Sequence, residues 1–166
     1  MKSRNIYVFI IFISLFTSSC GIYSFTGSKI NAKTISIDYF ANKASIIQPS
    51  LSQILTDGFR DKFVNQTKLD LVKRDAELHL EGEITEYSVS PVAIQSDQTA
   101  ALNRLLIKVN VRFTNTLDDK QSFEQTFSQY KDFQSSLSLS AVESQLIDEI
   151  VKSIVEDVFN KALVNW

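Results

Sequence analysis

The sequence predicts an α+β fold, a two-layer sandwich in which a mixed sheet of four to five strands carries two helices packed on one face. Three observations lead to this prediction. Several segments alternate apolar and polar residues with the period of two that strands show, and two others repeat apolar residues every three or four positions. The order along the chain is strand, helix, several strands and a long helix, which one sheet covered by both helices satisfies most economically.

The composition fits one globular domain and excludes several classes of protein. The chain has 166 residues, of which 44% are hydrophobic and 22% are charged, and its formal net charge is −2. This charge argues against a nucleic-acid partner, which normally requires a strongly basic surface. One cysteine and one histidine leave little material for the commonest metal sites or for a nucleophile with its base. We therefore expect no enzyme, no cofactor and no resident metal.

The first 19 residues have the layout of a secretory signal peptide. Two basic residues precede an apolar run from Ile6 to Phe16, and small residues follow. As a helix this run is about 16 Å long, well short of the ~30 Å core of a bilayer, so it does not predict a permanent span.

The residue that follows this segment is Cys20, the only cysteine. The segment resembles a bacterial lipoprotein box, although Thr17 stands where that box usually has leucine. We predict that Cys20 is lipidated, that residues 20–33 form a tether, and that the protein is anchored in the outer membrane on its periplasmic side. A plain signal peptide with an incidental thiol is the alternative.

Residues 34–166 form the predicted single domain, which begins with a strand and a helix. Thr34–Phe40 alternates apolar and polar residues and predicts the first strand. Apolar residues spaced at three and four then predict a helix from about Pro49 to Asn65. Gly58 lies inside this helix, where glycine is unfavourable, so we expect it to permit a close approach of the helix to the sheet.

Alternation also predicts the central strands. The predicted elements are a short strand around Leu69 and Leu71, a strand from Leu78 to Val89, a strand over Leu105–Thr114, a polar turn over Asn115–Gln121 and a strand over Ser122–Phe133. The apolar phase of the second of these changes near Glu86, which predicts a β-bulge at Thr85 or Glu86.

The last element carries the strongest helical signal. A wide apolar stripe extends from Val142 to Leu163 and predicts a long helix that must lie on a sheet or a partner. Ser140 with Glu143, like Ser50 with Gln53 in the first helix, has the spacing of a capping box.

The face of the sheet opposite the helices is predicted to be polar and to carry the candidate binding residues. Arg104, Lys108 and Arg112 recur every four residues on one face of a strand and are candidate contacts for anionic groups such as phosphate. The alternative is that they pair across strands with Glu81 and Glu83.

His79 alternates with leucines on a strand, which predicts an outward polar side chain. Together with Glu81 and Glu83 it forms a row that imitates a metal site. Three residues on one flat strand span too far to close around an ion, so such a site would need ligands from elsewhere.

Four short motifs, in this order along the chain, give the sequence a family resemblance. They are Cys20-Gly-Ile-Tyr-Ser-Phe, Thr34-Ile-Ser-Ile-Asp-Tyr-Phe, Asn103-Arg-Leu and Val158-Phe-Asn-Lys-Ala. The sequence resembles LptE-type lipopolysaccharide-assembly lipoproteins over the whole of the chain that would follow signal cleavage. The resemblance implies an outer-membrane lipoprotein that plugs an LptD-type β-barrel and takes part in lipopolysaccharide transport, with no catalytic residue.

Other classes of function remain open. The chain could be a different envelope-assembly lipoprotein, or a periplasmic lipid carrier, which would need a large apolar cavity. An enzyme would need a polar cleft with perturbed titratable groups, which the composition disfavours.

Overall fold

The computed structural model describes residues 31–92 and 101–164, and it confirms the predicted α+β architecture with a slightly larger sheet. Its elements in chain order are β1 (Thr34–Ile37), β2 (Ala41–Asn42), α1 (Leu51–Gln66), β3 (Asp70–Leu71), β4 (Leu78–Val92), β5 (Leu102–Asn115), a 3₁₀ turn (Asp119–Gln121), β6 (Phe123–Gln134) and α2 (Leu139–Leu163). The six strands form one mixed sheet in the order β3-β1-β4-β5-β6, and β2 pairs with β4 beyond the end of β1. The 3₁₀ turn lies within the predicted polar turn.

The sheet combines two kinds of pairing. β1 and β2 run parallel to β4, and β3 runs parallel to β1, whereas β4, β5 and β6 form an antiparallel meander. Between β1 and β3 the chain passes through α1, because two paired parallel strands need a long crossover connection, which is usually a helix. The short strands β1, β2 and β3 therefore lie on one side of β4, and the long strands β5 and β6 lie on the other.

Both helices cover the same face of the sheet and enclose a single core. α1 packs on β1, β2 and β3, α2 packs on β5 and β6, and the two helices contact each other. The predicted stripe of α2 is buried from Leu146 to Leu163, with Ile150, Ile154 and Val158 fully inaccessible. Side chains of β4 and β5 alternate between this core and the opposite, solvent-facing side.

The predicted bulge is confirmed, and the first strand is shorter than predicted. Ile84 pairs with Val109 and Glu86 with Lys108, so the residue between them, Thr85, is the extra residue of the bulge. β1 ends at Ile37, after which the chain turns and buries the ring of Phe40 instead of continuing the alternation. Tyr39, which an alternation continued to Phe40 would place on the apolar side with Ile35 and Ile37, is therefore 55% exposed.

Gly58 makes a close contact, but with the other helix and not with the sheet. A Cβ on Gly58 would lie 3.3 Å from Val155 Cγ2 and 3.4 Å from Val151 Cγ1, both on α2. The prediction of a helix-to-sheet approach was therefore wrong, because α2 and not a strand lies against this side of α1. Glycine here lets the two helix backbones come close together.

Both predicted capping boxes were wrong. The side chain of Ser50 caps nothing, and Oε1 of Gln48 instead accepts hydrogen bonds from the backbone N–H groups of Ser50 (2.8 Å) and Leu51 (2.9 Å). At the second helix the N-cap residue is Ser138, so Ser140 already lies inside the helix. Its predicted partner Glu143 accepts a hydrogen bond from the hydroxyl of Tyr87 and so joins α2 to β4.

Candidate functional site

The candidate site is the solvent-facing side of the sheet, here called the outer face. It comprises Ser36 of β1, His79, Glu81, Glu83 and Glu86 of β4, Arg104, Leu106, Lys108, Asn110 and Arg112 of β5, and Glu124, Tyr130 and Asp132 of β6. No helix covers these residues in the part of the chain that the structure describes. The prediction of an open polar face, with His79 pointing outward from it, is confirmed.

The three predicted cations lie in one row along β5, and each has acidic partners on a neighbouring strand. Arg104 makes a two-pronged contact with Asp132, with Nε at 2.7 Å from Oδ1 and Nη2 at 2.8 Å from Oδ2. Its guanidinium also lies 3.6 Å from the ring centre of Tyr130. This stacked, bidentate arrangement holds the arginine side chain in one orientation.

Lys108 and Arg112 are paired in the same manner. Lys108 Nζ lies 2.8 Å from a carboxylate oxygen of Glu86. Arg112 bridges two strands, with Nη1 3.2 Å from Glu81 and Nη2 3.0 Å from Glu124.

The alternative of cross-strand pairing thus describes the geometry, with partners that differ in part from the predicted ones. Glu81 is a partner as predicted, but Glu83 forms no ion pair among the described residues.

These contacts alter the acidity of the groups that make them. Hydrogen bonds from Arg104 lower the pKa of Asp132, and hydrogen bonds from Asn110 and Arg112 lower the pKa of Glu124. The hydrogen bond from Lys108, with one from Ser88, lowers the pKa of Glu86. All three carboxylates are therefore ionised at neutral pH, and the outer face carries an alternating pattern of opposite charges.

The cations remain accessible in spite of their partners. The side chains of Arg104, Lys108 and Arg112 are 34%, 40% and 56% exposed, so Arg112 is the most open of the row. Exposed ion pairs are weak when they rest on single contacts, so an anionic ligand can displace the carboxylates that face Lys108 and Arg112 more easily than the bidentate partner of Arg104.

The sequence identified the row of cations but missed three residues that complete the face. All three residues lie on β6, namely Asp132, Glu124 and Tyr130. This strand is predicted from its phenylalanines alone, and its polar residues are not considered. Register with β5 places each of them directly beside or opposite a cation, and that register follows from the hairpin and not from local spacing. The signal that could have found them is the alternation along β6, in which Glu124, Tyr130 and Asp132 are out of phase with its phenylalanines.

Two further findings bear on the relation to membranes. Cys20, the predicted lipidation site, lies outside the described residues. Within the parts of the chain described here, no helix combines the length and apolarity required to cross a bilayer.

The fold and the outer face define a small two-layer α+β domain with one sheet face covered by helices and the other open and charged. The chain belongs to the lipopolysaccharide-assembly family LptE, whose model matches residues 32–162. Comparison with the curated proteins finds no match.

Solved structures match this chain at low sequence identity, and two of those named here, with TM-scores above 0.5, share its fold. The hypothetical protein CT253 from Chlamydia trachomatis superimposes with a TM-score of 0.54 at 10% identity, covering 79% of this chain and 98% of that one. Protein XCC0632 from Xanthomonas campestris gives a TM-score of 0.51 at 12% identity, with 78% and 84% covered. Rare lipoprotein B from Shewanella oneidensis gives 0.47 at 12% identity, with 76% and 92% covered.

Proposed function

We propose that this protein is an outer-membrane lipoprotein, lipidated at Cys20 and facing the periplasm, that takes part in lipopolysaccharide transport by assembling with and plugging an LptD-type β-barrel. The observation that carries the proposal is the family match over residues 32–162, which spans nearly all of the described domain. The fold supports the proposal, because both helices cover one face of the sheet and the other, charged face stays open to a partner or ligand. A role in catalysis is not part of the proposal.

The proposed contacts for lipopolysaccharide phosphates are Arg104, Lys108 and Arg112. They stand on the central strand of the antiparallel meander, in one row, with their charged ends on the outer face. Arginine and lysine are the residues that proteins use to bind phosphate. Ligand phosphates would replace the carboxylates of Asp132, Glu86 and Glu124 as their partners.

A pair of opposite substitutions tests this assignment. Lys108→Glu combined with Arg112→Glu should weaken lipopolysaccharide binding by tenfold or more and make the remaining affinity less sensitive to salt, because exposed charge pairs are screened. Glu124→Gln removes a competitor for Arg112 and should strengthen binding. Titrations of the full-length protein with lipopolysaccharide at two salt concentrations, beside melting curves, measure both effects.

The matched control is Lys73→Glu with Arg74→Glu, which makes the same change in net charge on exposed residues between β3 and β4. It should leave the affinity within about twofold of the wild type, since binding depends on local phosphate contacts and not on total charge. Unchanged binding in the Lys108 and Arg112 double variant, with only a small loss of stability, would mean that the cross-strand pairs are structural and would remove these residues from the site.

A further inference from the structure

Three potential metal ligands meet on the outer face, where β1 ends beside β4. Nε2 of His79 lies 3.6 Å from Oδ2 of Asp38 and 3.7 Å from Oε2 of Glu81, and the ligand atoms of all three residues lie within 4.8 Å of one another. We propose that this cluster binds one divalent transition-metal ion per chain, with Zn²⁺ as the best match. The inference goes beyond the proposed function and does not depend on it.

The spacing of the ligand atoms suits such an ion. Zinc bonds to nitrogen and oxygen of about 2.0–2.1 Å place neighbouring ligand atoms of a tetrahedral site roughly 3.4 Å apart. Both distances to His79 are already within a few tenths of an ångström of that value. The side chains of Asp38 and Glu81 are 56% and 37% exposed, so small rotations are free to close the remaining gap between the two carboxylates.

The three ligand residues do not all lie on one strand, so their spacing along the sequence does not identify the cluster. Glu83 does not join the cluster, and the third ligand atom comes instead from Asp38, which directly follows the end of β1. Its backbone N–H donates to the carbonyl oxygen of Leu80 at 2.9 Å, which fixes Asp38 between His79 and Glu81. The cluster is thus a consequence of the parallel pairing of β1 with β4.

Neighbouring groups orient two of the three ligands. The hydroxyl of the buried Ser36 lies 2.6 Å from Nδ1 of His79. When Nδ1–H donates to this hydroxyl, the lone pair of Nε2 points toward the two carboxylates, as in histidine ligands generally. Arg112 contacts Oε1 of Glu81 at 3.2 Å and leaves Oε2 directed at His79.

Charge and donor type favour a borderline ion over a hard one. Two carboxylates and a neutral imidazole together carry a charge of −2. Arg112 offsets part of this charge through its contact with Glu81, and Lys73 is a second cation that lines the same surface depression as Asp38. A mixed nitrogen and oxygen set of three suits Zn²⁺, with water in the open position, whereas Mg²⁺ and Ca²⁺ prefer more ligands, all of them oxygen.

Calorimetric titration with ZnCl₂ tests the site on the full-length protein in detergent, stripped of metal with a chelator. The protein carries Cys20→Ser to remove its only thiol and no histidine tag, because His79 is the only histidine in the chain. We expect one Zn²⁺ per chain and a rise in melting temperature with added Zn²⁺, since ligand binding to the folded state stabilises it. MgCl₂ should give neither effect.

Variants separate the site from adventitious binding. His79→Asn and Asp38→Asn should each weaken Zn²⁺ binding at least tenfold and abolish the rise in melting temperature, and Ser36→Ala should weaken it about tenfold through the orientation of the imidazole. Glu83→Gln, one repeat along the same strand, is the matched control and should bind as the parent does. Absence of stoichiometric binding, or binding that survives both His79→Asn and Asp38→Asn, would overturn the proposal and leave an ion-paired histidine. Asp38 is exposed, so its variant is expected to fold even if the histidine variant does not.

Discussion

At the scale of single residues, two glycines show how differently the same residue type is used. Gly82 lies in β4, and a Cβ there would stand 2.1 Å from the backbone oxygen of Asn110 and 2.7 Å from the ring of Phe40. A backbone atom cannot move aside without disturbing the pairing of β4 with β5. Gly58 faces only the methyl groups of two valines, which have more freedom to adjust.

Substitution by alanine should separate these two cases. We expect Gly82→Ala to lower the free energy of unfolding by about 1–3 kcal/mol, the usual cost of overpacking. Gly58→Ala should change it by no more than about 1 kcal/mol, because alanine's better helix propensity offsets the tighter contact with Val155. Urea denaturation of the full-length protein measures both, and equal losses for the two variants would contradict this reading of the contacts.

Individual side-chain contacts were the least predictable level of the structure. Serine with glutamate or glutamine three residues later predicted two capping boxes, yet Gln48 caps α1 and Glu143 binds Tyr87. Such choices are decided by where the preceding loop and the neighbouring strand lie, and spacing along the chain does not contain that information. Asp38, the third ligand of the proposed metal site, was not predicted for the same reason.

At the scale of elements, periodicity predicted far more. The buried stripe of α2, the alternation of β5 and the bulge at Thr85 all follow from which residues must avoid water, and the structure reproduces them. Element boundaries differ by a few residues where hydrogen bonding ends a strand early, as β1 does at Ile37. The short strand β2 has no periodic signal at all, since two residues are too few to show one.

The stripe of α2 provides a test at this scale. Ile150 is fully buried at the centre of the helix, so Ile150→Asp places an unpaired charge in the core and should unfold the domain. Lys152→Asp, two residues along on the exposed side, should change stability by less than about 1 kcal/mol. Thermal melts followed by circular dichroism compare them. An Ile150→Asp protein that melts within a few degrees of the wild type would mean that the stripe is not core.

At the scale of the whole molecule, the fold could be predicted from the order of elements, whereas the site could be predicted only in part. The open face and its row of cations follow from alternation on one strand. Their partners follow from the register of three strands, which depends on hairpin geometry. The family match adds what neither local pattern provides, namely membership of a lipopolysaccharide-assembly family.

The proposed anchor is tested by removing its attachment point. Cys20→Ala should leave the signal segment uncleaved by the lipoprotein pathway and release the protein from the outer membrane, because stable anchoring needs its acyl chains. Membrane fractionation with a carbonate wash, and the size of the product on a gel, report both effects. A Cys20→Ala protein of mature size that stays in the outer membrane would contradict lipidation at this residue.

Affinity purification of the tagged wild-type protein from detergent-solubilised outer membranes tests the proposed role most directly, with an untagged strain as the control. The result we predict is a stoichiometric complex with one LptD-type β-barrel, identified by mass spectrometry of the purified bands. Purification without that barrel, from membranes in which the barrel itself is detected, would contradict the role as its plug.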